Sequence, residues 1–200
     1  MMQSMTRLLA ILALAVLAAC STKPVVWAPD EAVQAARYQA PGPSQIVLFN
    51  VINNESGSGE HAALLISAPS QRVLFDPAGT WAHPAAPERH DVFYGFDDQQ
   101  LFRYTYYHAR RTHRVRIQTL EVAPETAEMI LRLAEVEGPV PDAYCAKSIV
   151  HILNQVPGFE WIRDSFYPNN LSDQFATIPG VREENIYSDA EPTERQQYTQ

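Results

Sequence analysis

The chain has 200 residues, with 15 lysines and arginines against 23 aspartates and glutamates, for a formal charge of −8. That acidity excludes a general nucleic-acid binder, whose affinity rests on neutralising phosphates with basic side chains. The length suits one domain around one sizeable core.

Residues 1–19 read as an export signal. Arg7 precedes the apolar run "LLAILALAVLAA", which is too short to span a bilayer comfortably. The run ends in "LAAC", and small residues before a cysteine resemble the bacterial lipobox, in which Cys20 is acylated and becomes the new N-terminus. An ordinary secretory peptide or a signal anchor is the competing reading. In the lipoprotein pattern an aspartate after the cysteine favours inner-membrane retention, so Ser21 resembles the outer-membrane case, with the domain facing the periplasm. Several acyl chains, palmitate among them, anchor stably where one does not. Trimming the signal removes Arg7 and no acid, leaving 14 basic against 23 acidic side chains and a charge of −9.

Residues 20–44 read as the lipidated N-terminus and a tether, with "DEAVQAAR" as one or two helical turns. The domain proper is expected over 45–187. "QIVLFNVI" (45–52) is nearly continuous in apolar residues between Pro-Gly-Pro and "NNESGSGE", which marks a buried strand. "HAALLIS" (61–67) and "RVLFD" (72–76) repeat the pattern across "APSQ" and predict an antiparallel hairpin.

Residues 77–112 show no sustained period and read as loop and edge around the sheet. "HRVRIQTLEV" (113–122) alternates Val115 and Ile117 with Arg114, Arg116 and Gln118, the pattern of a half-exposed strand. A helix follows over 124–137, with Pro at its first turn, an apolar face of Ala127, Ile130, Leu131 and Ala134, and Gly138 as its stop. A second helix is predicted over about 143–156, capped by Asp142 and stopped by Pro157-Gly158. Its face of Cys145, Ile149, Ile152, Leu153 and Val156 turns Cys145 inward, at the third position of the helix. The polar segment 188–200 reads as a disordered tail. The fold class is therefore α+β, an antiparallel sheet packed against helices.

The chain has two cysteines, Cys20 and Cys145. With Cys20 acylated, Cys145 has no disulfide partner and is a buried small hydrophobe, an intermolecular link or a reactive thiol. A helix start lowers a thiol's pKa through unpaired N–H groups and the helix dipole. A nucleophile also needs a base within reach and a group that fixes the base's tautomer. His61 opens a buried strand and is the candidate base. In the predicted hairpin, residue numbers in direct register sum to 139, which places Asp76 two residues from register with His61, a diagonal neighbour on the same face. Cys145, His61 and Asp76 are thus candidates for one catalytic site.

"GEHAALLIS", "RVLFDPAG", "DVFYGF" and "YCAKSIVHIL" resemble the circularly permuted NlpC/P60 enzymes, a papain-like group of cysteine amidases and peptidases that includes lecithin:retinol acyltransferase-like proteins. The resemblance covers roughly residues 45–158. It implies a papain-like core in permuted order, with Cys145 as nucleophile, His61 as general base and Asp76 as orienter. Many relatives have Asn before the cysteine and some have His as third residue, where this chain has Tyr144 and Asp76. The implied activity is that of a hydrolase of the thiol-protease type or an acyltransferase, acting on a peptidoglycan peptide or a lipid acyl group in the cell envelope. The competing function is a catalytically silent envelope lipoprotein that keeps the fold as a binding or structural module.

His83, His90, His108 and His113 match no tight metal-ligand spacing, so neither a metal nor another cofactor is expected. His151 lies off the apolar face of its helix and reads as solvated. "RYTYYHARRTHRVR" is a basic island with interleaved tyrosines, read either as an exposed strand edge or as a patch for anionic lipid headgroups or glycan carboxylates.

Overall fold

Both faces of "QIVLFNV" have to be covered, because Ile46 to Phe49 run without a polar residue. In the computed structural model, which describes residues 26–200, this segment is strand β1 (Gln45–Asn53), at the middle of a sheet packed on both sides. Cys20 and the segment read as an export signal lie outside the described residues. β1 pairs antiparallel with β2 (Gly59–Ser67) on one side and with β6 (His113–Glu121) on the other. The sheet continues through β3 (Arg72–Phe75), β5 (Val92–Phe93) and β4 (Glu88–Arg89) at one edge and β7 (Arg182–Ile186) at the other, giving the order β4-β5-β3-β2-β1-β6-β7 with every pairing antiparallel.

The sheet's two faces carry separate cores. Ile46, Leu48, Leu64 and Ile66 meet helices α3 (Pro124–Glu137), α4 (Cys145–Leu153) and α5 (Pro168–Phe175). Val47, Phe49, Ala63 and Leu65 meet α2 (Asp98–His108) and the aromatic cluster of Trp81, Phe93 and Phe96. Full burial of each such side chain stabilises the fold by about 1.5–3 kcal/mol, so the alternation fixes the register of the central strands. The hairpin pairs Ser67 with Arg72 and Ile66 with Val73, the predicted register. The helix over Pro124–Glu137 ends at Gly138, whose φ of 78° suits a residue without a Cβ. Among the described residues no helix is long and apolar enough to cross a membrane.

Several expectations are corrected. Residues 77–112 are not only loop and edge: α2 fills 98–108, with Asp97 accepting from the Gln100 N–H at 2.8 Å as its N-cap. Gln118 is fully buried, where its amide N–H donates to the Ser172 carbonyl and its Oε1 accepts from the Ser172 hydroxyl, so β6 is not half-exposed along its length. Nor is β6 an edge strand, because β7 covers its outer side. The described part of the supposed tether is docked: α1 (Asp30–Ala36) precedes Tyr38, whose carbonyl accepts from the Arg72 N–H, and Arg89 pairs with Asp30 at 2.5 Å. The segment read as a disordered tail carries a 3-10 helix, Pro192–Tyr198, whose Tyr198 carbonyl accepts from the Trp81 indole at 3.2 Å.

Candidate active site

Three elements converge on one point. His61 stands near the start of β2, where the register against β1 shifts between Val51 and Ile52. The β2–β3 ladder ends at Leu64 and Phe75, and the chain runs on into Asp76, a diagonal neighbour of His61. The two side chains meet at 2.6 Å, His61 Nε2 to Asp76 Oδ1. With Nε2 taken, Nδ1 is the ring nitrogen left for the third group. That group is Cys145, whose sulfur is within the electrostatic influence of His61 and of the backbone N–H groups of Ala62 and Ala146. The sulfur therefore lies against β2 beyond the last rung of its ladder with β3.

Cys145 is the first residue of α4, with Tyr144 at the N-cap, rather than the third residue of a helix capped by Asp142. Pro139 and Pro141 keep the preceding segment out of helix, the Tyr144 N–H closes a turn onto Pro141 at 3.2 Å, and the Ser148 N–H bonds the Tyr144 carbonyl at 2.8 Å to start α4. The result is closer to the positive end of the helix than the sequence suggested. His151, on the outer side of α4, is exposed and bonds Glu137 at 2.7 Å.

The electrostatics follow from burial and pairing. Burial opposes the charge on His61, but the adjoining carboxylate of Asp76 and the Cys145 sulfur override it and raise its pKa to about 10. Burial likewise works against ionisation of Asp76, and the His61 charge and hydrogen bonds outweigh it, holding the carboxyl below its ordinary value. For Cys145, burial favours the neutral thiol, while His61 and the two backbone N–H groups pull the pKa below the usual thiol range. The pairing thus favours the charged imidazolium on His61 and favours ionisation of the Cys145 thiol relative to an isolated one.

Two residues that sequence reasoning missed complete the surroundings, both on α2. The Tyr104 hydroxyl donates to Asp76 Oδ1 at 2.7 Å, so one carboxylate oxygen holds both His61 and Tyr104. His108 stacks on His61 with ring centroids 5.5 Å apart and contacts Tyr104 edge-on. Burial, reinforced by the charge on His61, pushes its pKa down to about 3, so this second ring is a neutral wall. The spacing 100, 104, 107, 108 behind Asp97 was the available signal, masked by aromatic residues that also suit strands.

Backbone strain gathers at the same place. Ala78, His90 and Asp91 have positive φ, and the loops that carry them fasten Asp76, whose N–H donates to the Asp91 carbonyl at 2.8 Å. Ala143, with φ of 67°, sets the turn into Cys145. Each such residue costs on the order of 1–3 kcal/mol and persists only where its surroundings hold it. Among the described residues no cluster of three or more His, Cys, Asp or Glu side chains is placed to hold a metal.

Chemically the arrangement is a thiol with a lowered pKa, a charged imidazole beside it and a buried carboxylate behind the imidazole. No protein family matches the chain, no curated protein matches its sequence and no solved structure matches its fold.

Proposed function

We propose that the chain is a lipid-anchored cysteine hydrolase or acyltransferase of the permuted NlpC/P60 type, held at the outer membrane through Cys20. The observation that carries this reading is the interaction of the buried Cys145 sulfur with a His61 ring that Asp76 holds at 2.6 Å. A core cysteine with only a packing role needs no such partners.

In this reading the Cys145 thiolate attacks the carbonyl carbon of an amide or ester. The C–S bond forms, and the negative charge moves to the carbonyl oxygen. The Cys145 N–H, in the first turn of α4 where helix geometry leaves donors free, faces that oxyanion. As the intermediate collapses, the C–N or C–O bond breaks and His61 gives its proton to the departing amine or alcohol. Neutral His61 then takes a proton from water, or from an acceptor hydroxyl or amine, which attacks the thioester and releases the thiolate. Asp76 keeps His61 oriented throughout, and Tyr104 keeps Asp76 in place.

One observation favours the silent-module reading, namely that Cys145 is only 4% exposed. Its sequence neighbour Tyr144 is exposed and meets the exposed Phe166 edge-on at 5.0 Å. Incubation with peptidoglycan stem peptides and, separately, with phospholipid vesicles tests the proposal. Cleavage or acyl transfer that Cys145→Ala abolishes supports it, and cleavage unchanged in Cys145→Ala or absent from both substrates contradicts it.

A further inference from the structure

The basic island 103–116 contains five arginines, and the fold divides them. Arg111 pairs with Glu191 at 3.0 Å, Arg116 pairs with Asp173 and Glu183 at 2.7 and 2.8 Å, and Arg114 bonds Asn54. Among the described residues Arg103 and Arg110 form no ion pair with a carboxylate: Arg103 lies 2.9 Å from His83 Nε2, and Arg110 bonds the carbonyls of Tyr107 and His108. The 3-10 helix at the end of the chain adds Arg195, whose guanidinium lies 5.4 Å from the Tyr107 ring centre. Burial and the charge of Arg195 hold Arg110 below its ordinary pKa although Glu60 works the other way, so like charges are gathered here with only partial compensation.

Arg195 lines a cleft of about 700 Å³ together with Val26, Thr80, His83 and Tyr107, with Glu88 as an acidic residue in its wall, and Arg103 and Arg110 stand behind its His83 and Tyr107. Exposed aromatic rings flank it. Phe102 is 53% exposed and packs against Tyr106 and Tyr198, and Trp27 is 58% exposed over the Arg89 guanidinium. Val26 also marks where the chain arrives from Cys20, six residues earlier. Six residues reach at most about 20 Å, so an acylated Cys20 holds this face close to the bilayer.

We propose that the face formed by Trp27, His83, Phe102, Arg103, Arg110 and Arg195 seats on the anionic phospholipid headgroups of the membrane that anchors the chain. Guanidinium groups bind phosphate oxygens in a planar, bidentate manner. Aromatic rings with polar edges settle at the headgroup level. On a processed chain of net charge −9, a local group of cations on this face is a feature that an anionic surface would orient. The proposal rests on the acylation of Cys20.

The test reconstitutes the full acylated chain into vesicles of phosphatidylcholine, with or without phosphatidylglycerol, and reads quenching of Trp27 fluorescence by brominated acyl chains, with Trp27→Phe identifying its share. Expected is quenching that requires phosphatidylglycerol, declines with added salt and weakens in the Arg103→Gln/Arg195→Gln variant, each arginine contributing about fivefold to the population of the seated state. Quenching independent of phosphatidylglycerol, or unchanged in the double variant, overturns the proposal. The mass of the same sample shows whether Cys20 is acylated; an unacylated Cys20 overturns the lipoprotein reading, while phosphatidylglycerol-dependent quenching in that sample still tests the surface itself.

Discussion

Tyr104→Phe removes one hydroxyl from a fully buried place and leaves the ring against Phe49, Trp81 and Phe96. What disappears is the 2.7 Å hydrogen bond to Asp76 Oδ1. A hydrogen bond to a charged group contributes about 1.5–3 kcal/mol, so a loss of about 2 kcal/mol at neutral pH is expected. In a domain of this size that lowers Tm by about 4–8 °C. The sign with pH follows from Asp76, whose folded pKa is depressed. Its stabilisation is present above the unfolded carboxyl value and is lost as pH falls through the folded value. Without Tyr104 the folded value rises toward the unfolded one, because the hydroxyl is one of the groups that hold it down. The acid limb of Cys145 alkylation, which reports the coupled protonation of Cys145, His61 and Asp76, moves upward with it. Urea unfolding combined with the pH dependence of iodoacetamide labelling reads both effects on one variant. A stability loss of the expected size with an unmoved acid limb would refute the reasoning, because it would make Tyr104 a packing residue without influence on the carboxylate.

Asp76→Asn deletes the partner of a buried imidazolium, and breaking such a pair costs about 3–5 kcal/mol. The His61 pKa, raised to about 10 with Asp76 in place, falls once only the Cys145 sulfur opposes burial; an NMR titration showing His61 still protonated at pH 9 would contradict this. His108 acts in the opposite direction, since its folded pKa is held down to about 3. The unfolded chain takes up that proton below about pH 6.5, so stability declines by up to about 1.4 kcal/mol for each unit of acidification between those two values. His108→Phe removes that slope, and urea midpoints across the acid range that run parallel in both proteins would argue against a buried neutral ring.

The hairpin was readable because "APSQ" is short enough to fix its register, and register is what brings Asp76 diagonal to His61. The helix at Pro124–Glu137 was readable because proline and glycine mark its ends. Helix α2 was not, because Phe102, Tyr104, Tyr106 and Tyr107 suit a strand as well as a helix, and only the buried contacts with Asp76 and His61 decide between them. The site was thus legible as three residues, while the ring of Tyr104 and His108 behind it was hidden in the misread element. Strand β7 has the sequence "REENI", exposed along most of its length, so no apolar period announces it; its position comes from pairing with β6. The start of α4 was displaced because Asp142 looks like a cap, whereas the left-handed turn at Ala143 delays the helix to Cys145.

The central claim is that His61 and Asp76 keep Cys145 ionised in the folded protein. The most direct measurement is the rate of Cys145 alkylation by iodoacetamide across pH in the native wild-type chain and in His61→Ala. The account predicts that the wild-type thiol reacts well below its ordinary pKa of about 8.5, and that His61→Ala reacts appreciably only near or above that value. A thiol that is modified only on unfolding, or whose pH profile is the same in both proteins, would contradict it.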